Sequence, residues 1–485
     1  MEEIIIMKKK VLSLILASAM VASLAACGQS SETGTTETQT TATDAKAATE
    51  SSDSAEAVVE APADAVVIEV WSNDRHDEDY VRAKIDEYNS TNTDGIYINL
   101  TTITDDYQNM IQLAFTGGDA PDIVGANSLP LNTFADTGIL SPLDDYIAAD
   151  AEFQKVNEPY DNAFEGYNKR NGHIYSVYSG IRSGVRVEYN KNLLEENGYT
   201  EIPNNLTDYF AMAKSITEAG NGTYYGIGFT SSSPFERLLE MSAQVSGIYY
   251  YDYVNGKFDF SGYKPILEAG KQMIADGTAY PDQQGVDNMR ALFQQGEFAL
   301  WSNASQEAGV FTEQFPITDF EWGVAEVPSL DGEIKGALSM TPSKSYGIVS
   351  STQHPEEAWK VISFFQSEDF LKGYLENGYC LPISDYMAGV IDSSKTGRLA
   401  DFAKLDYEDV YPQPPLVNLT GDDYRTVLWN AVMGYVDIDT AIEDLNTRYN
   451  EALEADIASG SAQRLVIKDY DPLHPSAGTP EFLSE

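Results

Sequence analysis

Two short stretches combine side chains suited to ligand binding with positions just after strand-like runs. Trp71–Arg75 follows the apolar run Val66–Val70, and Gly125–Ser128 follows the run Ile123–Val124. In open α/β sheets, ligands bind beyond the carboxyl ends of the strands. The sequence therefore predicts ligand contacts in both stretches, with a core aromatic at a strand end as the alternative for Trp71.

Motifs that would indicate catalysis or metal binding are missing from the sequence. The four histidines show no paired spacing for zinc, and there is no phosphate-binding P-loop, dinucleotide fingerprint or hydrolase nucleophile elbow. Asp437-Ile438-Asp439 begins like a calcium loop but lacks its glycine, and Arg448 stands where a glutamate is required, which favours a helix N-terminus. The 76 acidic residues neither support nor reject a catalytic carboxylate pair. We expect no cofactor, no metal and no enzymatic activity.

Length and charge limit the architecture and the partners. At 485 residues the chain exceeds what one hydrophobic core usually serves, so we expect two lobes or domains. A formal charge of -46 would repel phosphates. This argues against nucleic acid or an anionic membrane surface as the main partner.

The N-terminal residues have the pattern of a secretory signal. Lys8–Lys10 form a basic region, and the apolar run Val11–Ala22 is shorter than the roughly 20 residues of a membrane span. The segment Leu24-Ala25-Ala26-Cys27 resembles the bacterial lipobox, which implies removal of residues 1–26 and attachment of lipid to the sulfur of Cys27. The alternative is an ordinary secretory signal with a coincidental cysteine.

Residues 27–64 are predicted to be a lipidated cysteine followed by a disordered tether. Their Ser, Thr, Ala and Glu residues cannot bury enough apolar surface to offset the entropy of ordering. If Cys27 carries lipid, Cys380 has no partner for an intramolecular disulfide. We expect Cys380 to be a buried structural thiol.

The elements that must position the candidate residues begin with alternating strands and helices. Apolar runs at Val66–Val70, Ile96–Leu100 and Ile123–Val124 are typical of buried strands, and helically spaced apolar residues separate them. The order strand, helix, strand, helix, strand predicts a doubly wound start.

The stretch Gly172–Gly198 lies between that unit and a second α/β region. It is predicted to contain two extended runs, His173–Tyr178 and Val185–Tyr189, joined by a glycine-punctuated segment. A short helix follows, capped by Asn190 and closed by Gly198. We expect the chain to cross between the lobes here.

Further elements are predicted in the second region. They are a helix capped by Thr207, a hairpin with a type I′ turn at Val254–Lys257, a strand at Glu297–Trp301, a strand at Ser345–Ser350 that returns to the first lobe, and a long helix at Ile438–Ala458.

The order of several motifs carries a family resemblance. After the lipobox come GGDAPDIVGAN at Gly117, GILSPLDDYI at Gly138, GHIYSVYSG at Gly172, FQQGEFALWSNAS at Phe293 and SYGIVSSTQHPEEAWKVISFFQS at Ser345. Together they resemble the family 1 extracellular solute-binding proteins of ABC importers, especially the sugar-binding lipoproteins of Gram-positive bacteria.

The resemblance implies an α/β, two-lobed periplasmic-binding-protein-like (type II) fold with hinge strands between the lobes. The N-terminal lobe would comprise residues 65–186 and 345–381, and the C-terminal lobe residues 187–344 and 382–465. Residues 466–485 would form a C-terminal tail. A ligand would be buried between the lobes and enclosed by hinge motion.

The resemblance also implies ligand contacts on loops that face the cleft. Sugars present apolar CH faces and a ring of hydroxyls, which suit aromatic rings and Asn, Asp or Arg side chains. The contacts carried over to this sequence are Trp71, Asn73, Arg75, Asn127, Tyr178, Arg182, Trp301, Asn303, Tyr346 and Tyr424. The alternative for each is packing in the cleft wall.

The implied function is capture of a sugar or oligosaccharide and its delivery to the permease subunits of an ABC transporter. The protein would be a monomer on the extracellular face of the bacterial cytoplasmic membrane, with membrane contact through its lipid anchor only. Two alternatives stay open. One is a membrane-anchored extracellular glycoside hydrolase, and the other is a binding protein for a non-sugar solute such as a peptide or phosphate.

Overall fold

The computed structural model describes residues 61–158 and 163–484. These residues belong to one compact unit that begins at Ala61. The predicted signal peptide, the lipidation of Cys27 and most of the predicted tether fall in residues 1–60, outside the described residues. No helix within the described ranges is long and apolar enough to cross a membrane.

The strands and helices of the described residues are labelled in chain order. The strands are β1 (Val66–Ser72), β2 (Ile96–Thr102), β3 (Ile123–Gly125), β4 (Lys169–Arg170), β5 (His173–Ile174), β6 (Val177–Arg182), β7 (Arg186–Asn190), β8 (Tyr225–Gly228), β9 (Tyr251–Asp252), β10 (Lys257–Phe258), β11 (Phe298–Asn303), β12 (Trp322–Ala325), β13 (Leu338–Ser339), β14 (Thr341–Ile348), β15 (Glu408–Asp409), β16 (Arg464–Lys468) and β17 (Thr479–Leu483). The helices are α1 (Glu78–Thr91), α2 (Tyr107–Gly117), α3 (Leu131–Asp136), α4 (Asp144–Ala149), α5 (Ala151–Val156), α6 (Lys191–Glu196), α7 (Leu206–Gly220), α8 (Met241–Val245), α9 (Lys264–Ala275), α10 (Val286–Gln294), α11 (Glu307–Gly309), α12 (Pro355–Phe365), α13 (Glu368–Glu376), α14 (Asp385–Val390), α15 (Tyr424–Val432) and α16 (Ile438–Ser459).

Sheet 1 has the strand order β2-β1-β3-β14-β6, and its start confirms the predicted alternation of strands and helices. β1 is parallel to β2 and β3, whereas β14 is antiparallel to both β3 and β6. Apolar side chains form one cluster with α1, α12 and α13 and another with α2 and α3. Burial on both faces explains why the strands read as near-continuous apolar runs.

Sheet 2 has the strand order β12-β7-β11-β8. β7 is antiparallel to β11 and β12, and β8 is parallel to β11. Its largest apolar cluster includes side chains of α7, α9, α15 and α16. The long helix predicted at Ile438–Ala458 is confirmed as α16, in which Leu445 and Leu453 are fully buried.

The predicted crossing stretch connects the two sheets. β6 ends at Arg182 in sheet 1, and β7 begins at Arg186 in sheet 2. As predicted, Asn190 caps α6 by accepting a hydrogen bond from the backbone N–H of Leu193 at 3.1 Å. Gly198 follows that helix with a φ of 83°, which confirms the predicted left-handed residue.

Only residues 183–185 of the glycine-punctuated segment connect the two extended runs, because the part before them is strand. β6 continues through Gly180 to Arg182, and β5 is a separate short strand. A Cβ atom at position 180 would lie 2.2 Å from the sulfur of Cys380. Glycine therefore permits a close approach at this position instead of a turn. Cys380 itself is buried, as predicted.

Two local predictions in the second region are wrong in detail. Asn205 caps α7 in place of Thr207, because the helix begins at Leu206, before the predicted capping residue. The hairpin β9–β10 is confirmed, but the predicted type I′ turn is not. Its loop contains the four residues 253–256, in which Gly256 has a positive φ of 64° and Asn255 does not have a positive φ. A type I′ turn needs positive φ at both central residues of a two-residue loop.

β14 brings residues 341–348 back into sheet 1. It begins at Thr341 rather than at the predicted Ser345, because Pro342 and Lys344 interrupt the apolar pattern on which the prediction depended. Within the segment 466–485 predicted as a tail, β17 pairs antiparallel with β16. The lobe boundaries inferred from the sequence stay predictions.

A buried ion pair joins segments that pass between the sheets. Both terminal nitrogens of Arg186 donate to the carboxylate of Glu408, at 2.9 Å each, and neither side chain is more than 2% exposed. β15, which contains Glu408, pairs with β13, and β13 leads directly into β14. One charge pair therefore links the crossing at residues 183–185 to the crossing at residues 338–341.

Replacing Glu408 by Gln should lower the free energy of unfolding by about 3–5 kcal/mol, because Arg186 would stay buried as an unpaired charge. Urea-induced unfolding of the full chain measures this loss. Asp439→Asn, which breaks a solvent-exposed pair with Lys264, is the control and should have a much smaller effect. The double change Arg186→Met with Glu408→Leu removes both charges and should destabilise less than Glu408→Gln. A larger loss in the double variant would contradict this account.

Candidate functional site

The carboxyl ends of strands from both sheets converge where the chain passes between them. In sheet 1, β1, β3 and β6 run in the same direction, and the chain leaves the sheet from the end of β6. In sheet 2, Asn303 at the end of β11 lies opposite Arg186 at the start of β7. The strands β8 and β12 run in the same direction as β11. We call the region around the ends of β1, β3, β6 and β11 and the start of β7 the junction. Ligands of α/β sheets bind beyond such strand ends, so the junction is the candidate site.

The structure brings five predicted contacts to the sheet-1 side of the junction. They are Trp71, Asn73, Arg75, Asn127 and Arg182. The side-chain amide of Asn73 donates to the hydroxyl oxygen of Ser128 at 2.8 Å, which ties the loop after β1 to the loop after β3. The hydroxyl of Tyr107 donates to the carbonyl oxygen of Trp71 at 2.8 Å and lies 3.0 Å from that of Gly125. These contacts fix the ends of β1 and β3 relative to each other.

Tyr346, a sixth predicted contact, lies against a buried ionic cluster. The ammonium of Lys344 is 2.9 Å from Asp77 Oδ2, 3.3 Å from Asp74 Oδ2 and 5.5 Å from the centre of the Tyr346 ring. The hydroxyl of Tyr374 donates to the same oxygen of Asp77 at 2.6 Å. Burial alone would raise the pKa of Asp77, but the charge of Lys344 and the hydrogen bond from Tyr374 help to hold that pKa below its usual value.

Lys344 was not predicted from the sequence, and its backbone is strained. Its φ is 52°, in the left-handed region, although the residue lies within β14. Such a conformation costs on the order of 1–3 kcal/mol in a residue with a Cβ and persists only where surrounding contacts hold it. The ion pairs to Asp74 and Asp77 supply those contacts. Lys344 thereby anchors the loop that carries Asn73 and Arg75.

Two predicted contacts on the sheet-2 side are packed inside the lobe. The side-chain amide of Asn303 donates to Glu307 Oε1 at 2.8 Å, and its backbone N–H donates to Glu188 Oε2 at 3.1 Å. Glu307 also pairs with Arg290 at 2.6 Å. Trp301 is 1% exposed, and its indole N–H has no hydrogen-bond partner among the described residues. A ligand would meet either side chain only after movement of the lobes or of neighbouring side chains.

The remaining two predicted contacts lie apart from the strand ends. Tyr178 lies in the first half of β6, and its hydroxyl donates to the backbone carbonyl of Tyr167 at 3.3 Å. Tyr424 begins α15, where its hydroxyl donates to Glu240 and its ring stacks on Tyr250 with centres 4.6 Å apart. The hydroxyls of both tyrosines are therefore engaged within the protein.

An aromatic pair at the junction was missed in the sequence. Phe229 directly follows β8, and the half-buried Trp429 of α15 packs edge-on against it with ring centres 5.2 Å apart. An aromatic ring in such a position can stack against an apolar ligand surface. The spacing of Trp429 in its helix is that of any core-facing residue, so periodicity carried no signal for it.

Buried polar atoms at the junction remain without hydrogen-bond partners in the part of the chain that the structure describes. On the sheet-1 side they are Asn73 Oδ1 and Asp77 Oδ1. Because buried polar atoms are normally paired, these atoms indicate a place for water or for ligand hydroxyls. No group of three or more His, Cys, Asp or Glu side chains within the described ranges is arranged to hold a metal ion. The chemistry available at the junction is hydrogen bonding and aromatic stacking.

A family model described as bacterial extracellular solute-binding protein matches residues 74–372, which is more than half of the chain. The match therefore includes sheet 2, every strand of sheet 1 except β1, and both crossings described above.

Individual relatives are more distant. A binding protein of Brucella abortus (strain 2308) is 26% identical over 287 residues, covering 56% of this chain and 64% of that relative. The maltotriose-binding protein of Pyrococcus abyssi is 23% identical over 297 residues, covering 58% of this chain and 59% of that protein. The structure of the sugar-binding protein MalE from Xanthomonas citri superposes with a TM-score of 0.62 at 19% identity, covering 81% of this chain and 99% of the other. The last similarity establishes a two-lobed maltose-binding-type fold.

Glu188 should make the stability of the protein depend on pH. Burial and the neighbouring Glu307 raise the pKa of Glu188 well above its usual value. The stability that such a group contributes is fully present below the pKa of the unfolded chain, roughly 4.3, and is lost as the pH rises through the folded pKa. Glu188→Gln should therefore flatten the fall in unfolding free energy above that pH.

Urea-induced unfolding at a series of pH values measures this effect. Glu195→Gln, at an exposed glutamate of α6, is the matched control and should keep the wild-type pH dependence. The same slope in the Glu188→Gln protein as in the wild type would show that Glu188 does not titrate in this range.

Proposed function

Since the chain belongs to the bacterial extracellular solute-binding protein family, we propose that it captures a sugar or oligosaccharide at the junction between its lobes. Closure of the lobes about the crossing segments would enclose the ligand, and the loaded protein would deliver it to the permease subunits of an ABC transporter. The observation that carries this proposal is the convergence of strand ends from both sheets on one polar and aromatic region. The sugar-binding relatives and structures support the choice of ligand class.

The chemistry of the junction supports a ligand with many hydroxyls. Asn73 Oδ1 and Asp77 Oδ1 are buried acceptors that lack donors among the described residues, and a hydroxyl can donate to either. Arg182, at the end of β6, is half-buried and adds a cationic donor on the same side of the junction. Trp71 and Trp429 are half-buried aromatic rings on opposite sides of the junction. Together these groups match the polar rim and the apolar face of a pyranose ring.

The N-terminal sequence adds a location to the proposal. Lipid attached to Cys27 would anchor the protein to the extracellular face of the cytoplasmic membrane, and the segment up to residue 64 would act as the tether. We propose that the protein works there as a monomer, because the two lobes of one chain supply both sides of the junction.

Replacing Arg182 by Ala should weaken sugar binding by roughly tenfold or more, because a hydrogen bond to a charged group contributes about 1.5–3 kcal/mol. Calorimetric titration of the full chain against a panel of mono-, di- and trisaccharides measures the change. Lys264→Ala removes a surface cation and is the control. Unchanged affinity in the Arg182→Ala protein would remove the junction as the binding site. Release of sugar products during the titration would instead favour the glycoside hydrolase alternative.

Replacing Trp429 by Ala should lower sugar affinity by about tenfold, because the junction would lose an apolar ring on its sheet-2 side. The exposed aromatic residue Tyr435, which is 76% exposed and follows the same helix, provides the matched control Tyr435→Ala. Quenching of tryptophan fluorescence by added sugar should also diminish in the Trp429→Ala protein and persist in the control. Equal affinity and equal quenching in both variants would place the ligand elsewhere.

A further inference from the structure

A pocket of about 280 Å³ lies between parts of the two lobes that the junction does not use. One wall comes from α3 and the turn that leads into β4, and the other from residues 413–418 and 461–465. The backbone N–H of Gln413 donates to the carbonyl oxygen of Glu165 at 3.3 Å, so the two walls are in direct contact. None of the ten ligand contacts predicted from the sequence lines this pocket.

The wall formed by α3 and the turn before β4 contains hydrogen-bonding groups that lack partners among the described residues. Asn132 Oδ1 and Glu165 Oε1 are buried, and neither has a hydrogen-bond partner within residues 61–158 and 163–484. Burial also raises the pKa of Glu165. Arg170, which lines the same wall, pairs with Asp136 at 2.9 Å and adds a donor next to these acceptors. Buried acceptors without donors indicate that a donor-rich molecule, water or solute, completes this wall.

The facing wall supplies apolar surface. Leu416 is 59% exposed, although it lines the pocket together with Pro414 and Pro415. Phe482, at the C-terminal strand β17, is half-buried and closes one side. An exposed leucine beside two prolines and a phenylalanine forms an apolar surface opposite a polar one. The combination suits a ring that carries hydroxyls on its edge and CH groups on its faces.

The volume limits the size of the occupant. Small-molecule pockets typically enclose about 300–1,000 Å³, and the 280 Å³ of this pocket lie just below that range. A monosaccharide, a disaccharide or a linear polyol fits such a volume, whereas a long oligosaccharide would extend into solvent. We propose that this pocket is a second binding site, separate from the junction, for a small hydroxyl-rich solute. With the lobe boundaries predicted from the sequence, the two walls belong to different lobes, and occupation of the pocket would then change with the relative position of the lobes.

Calorimetric titration of the full chain with glucose, maltose and raffinose tests the proposal. Ala462→Trp places a large side chain in the pocket and should abolish the binding event there. Asn132→Ala should weaken the same event by about fivefold, because it removes one hydrogen bond. The matched controls are Ala458→Trp, at an exposed position of α16, and Asn109→Ala, at an exposed position of α2. Urea-induced unfolding confirms that each variant folds, and Asn132→Ala keeps the test valid if Ala462→Trp does not fold.

The variants separate this site from the junction. A binding event that disappears in Ala462→Trp, weakens in Asn132→Ala and persists in Arg182→Ala supports the second site. Sugar binding that both pocket variants retain unchanged overturns it, and if Arg182→Ala then removes the binding, the proposed function stands alone. Binding that only the pocket variants remove supports the second site and contradicts the junction. The second site is also overturned if, with all three sugars, no heat of binding is lost in the pocket variants.

Discussion

The ion pair between Arg186 and Glu408 holds together the segments that pass between the two lobes. A guanidinium and a carboxylate that meet through two parallel hydrogen bonds have a fixed relative orientation. The remaining donors of Arg186 reach the carbonyl oxygens of Gly184 and Ala403, at 3.1 Å each. The carboxylate of Glu408 also accepts a bond from the backbone N–H of Leu405 at 2.7 Å. Because so many of their polar atoms are paired, the two buried charges define the geometry of the crossings.

The distribution of buried charge separates the lobe interiors from the junction. The cores around both sheets are apolar, whereas Lys344 with Asp77 and Arg290 with Glu307 lie close to strand ends that face the junction. Buried ion pairs are a poor source of stability compared with apolar packing. The position of these ion pairs is better explained by their effect on orientation. Each pair holds in place a loop or strand end that carries a candidate ligand contact. The strained backbone of Lys344 is consistent with that role.

Sequence patterns predicted the parts of this structure that depend on local periodicity. The strands of sheet 1 before residue 126, the cap at Asn190 and the long helix α16 all follow from apolar spacing and capping residues. Gly180 was misread, because a glycine in a strand and a glycine in a turn look alike until the sulfur of Cys380 is placed beside it.

The candidate site was predictable only in part, for a related reason. Residues directly after strands, such as Asn73 and Arg182, can be found from strand ends alone. Lys344 and Trp429 could not, because their partners are more than 190 residues away in the chain. Lys344 is a single charge next to a predicted strand, which usually indicates a solvated edge, and only the fold shows that two aspartates enclose it. Long-range pairing of this kind leaves no spacing in the sequence to detect.

The place of β14 in sheet 1 determines when the first lobe can be completed. β14 lies between β3 and β6, and its residues 341–348 come after every strand of sheet 2 in the chain. Until those residues have been synthesised, β3 and β6 each have an unpaired edge, and unpaired edges are sites of intermolecular strand pairing. The early half of the chain therefore depends on its late half for protection against aggregation, and closure of sheet 1 is a slow, non-local step in folding.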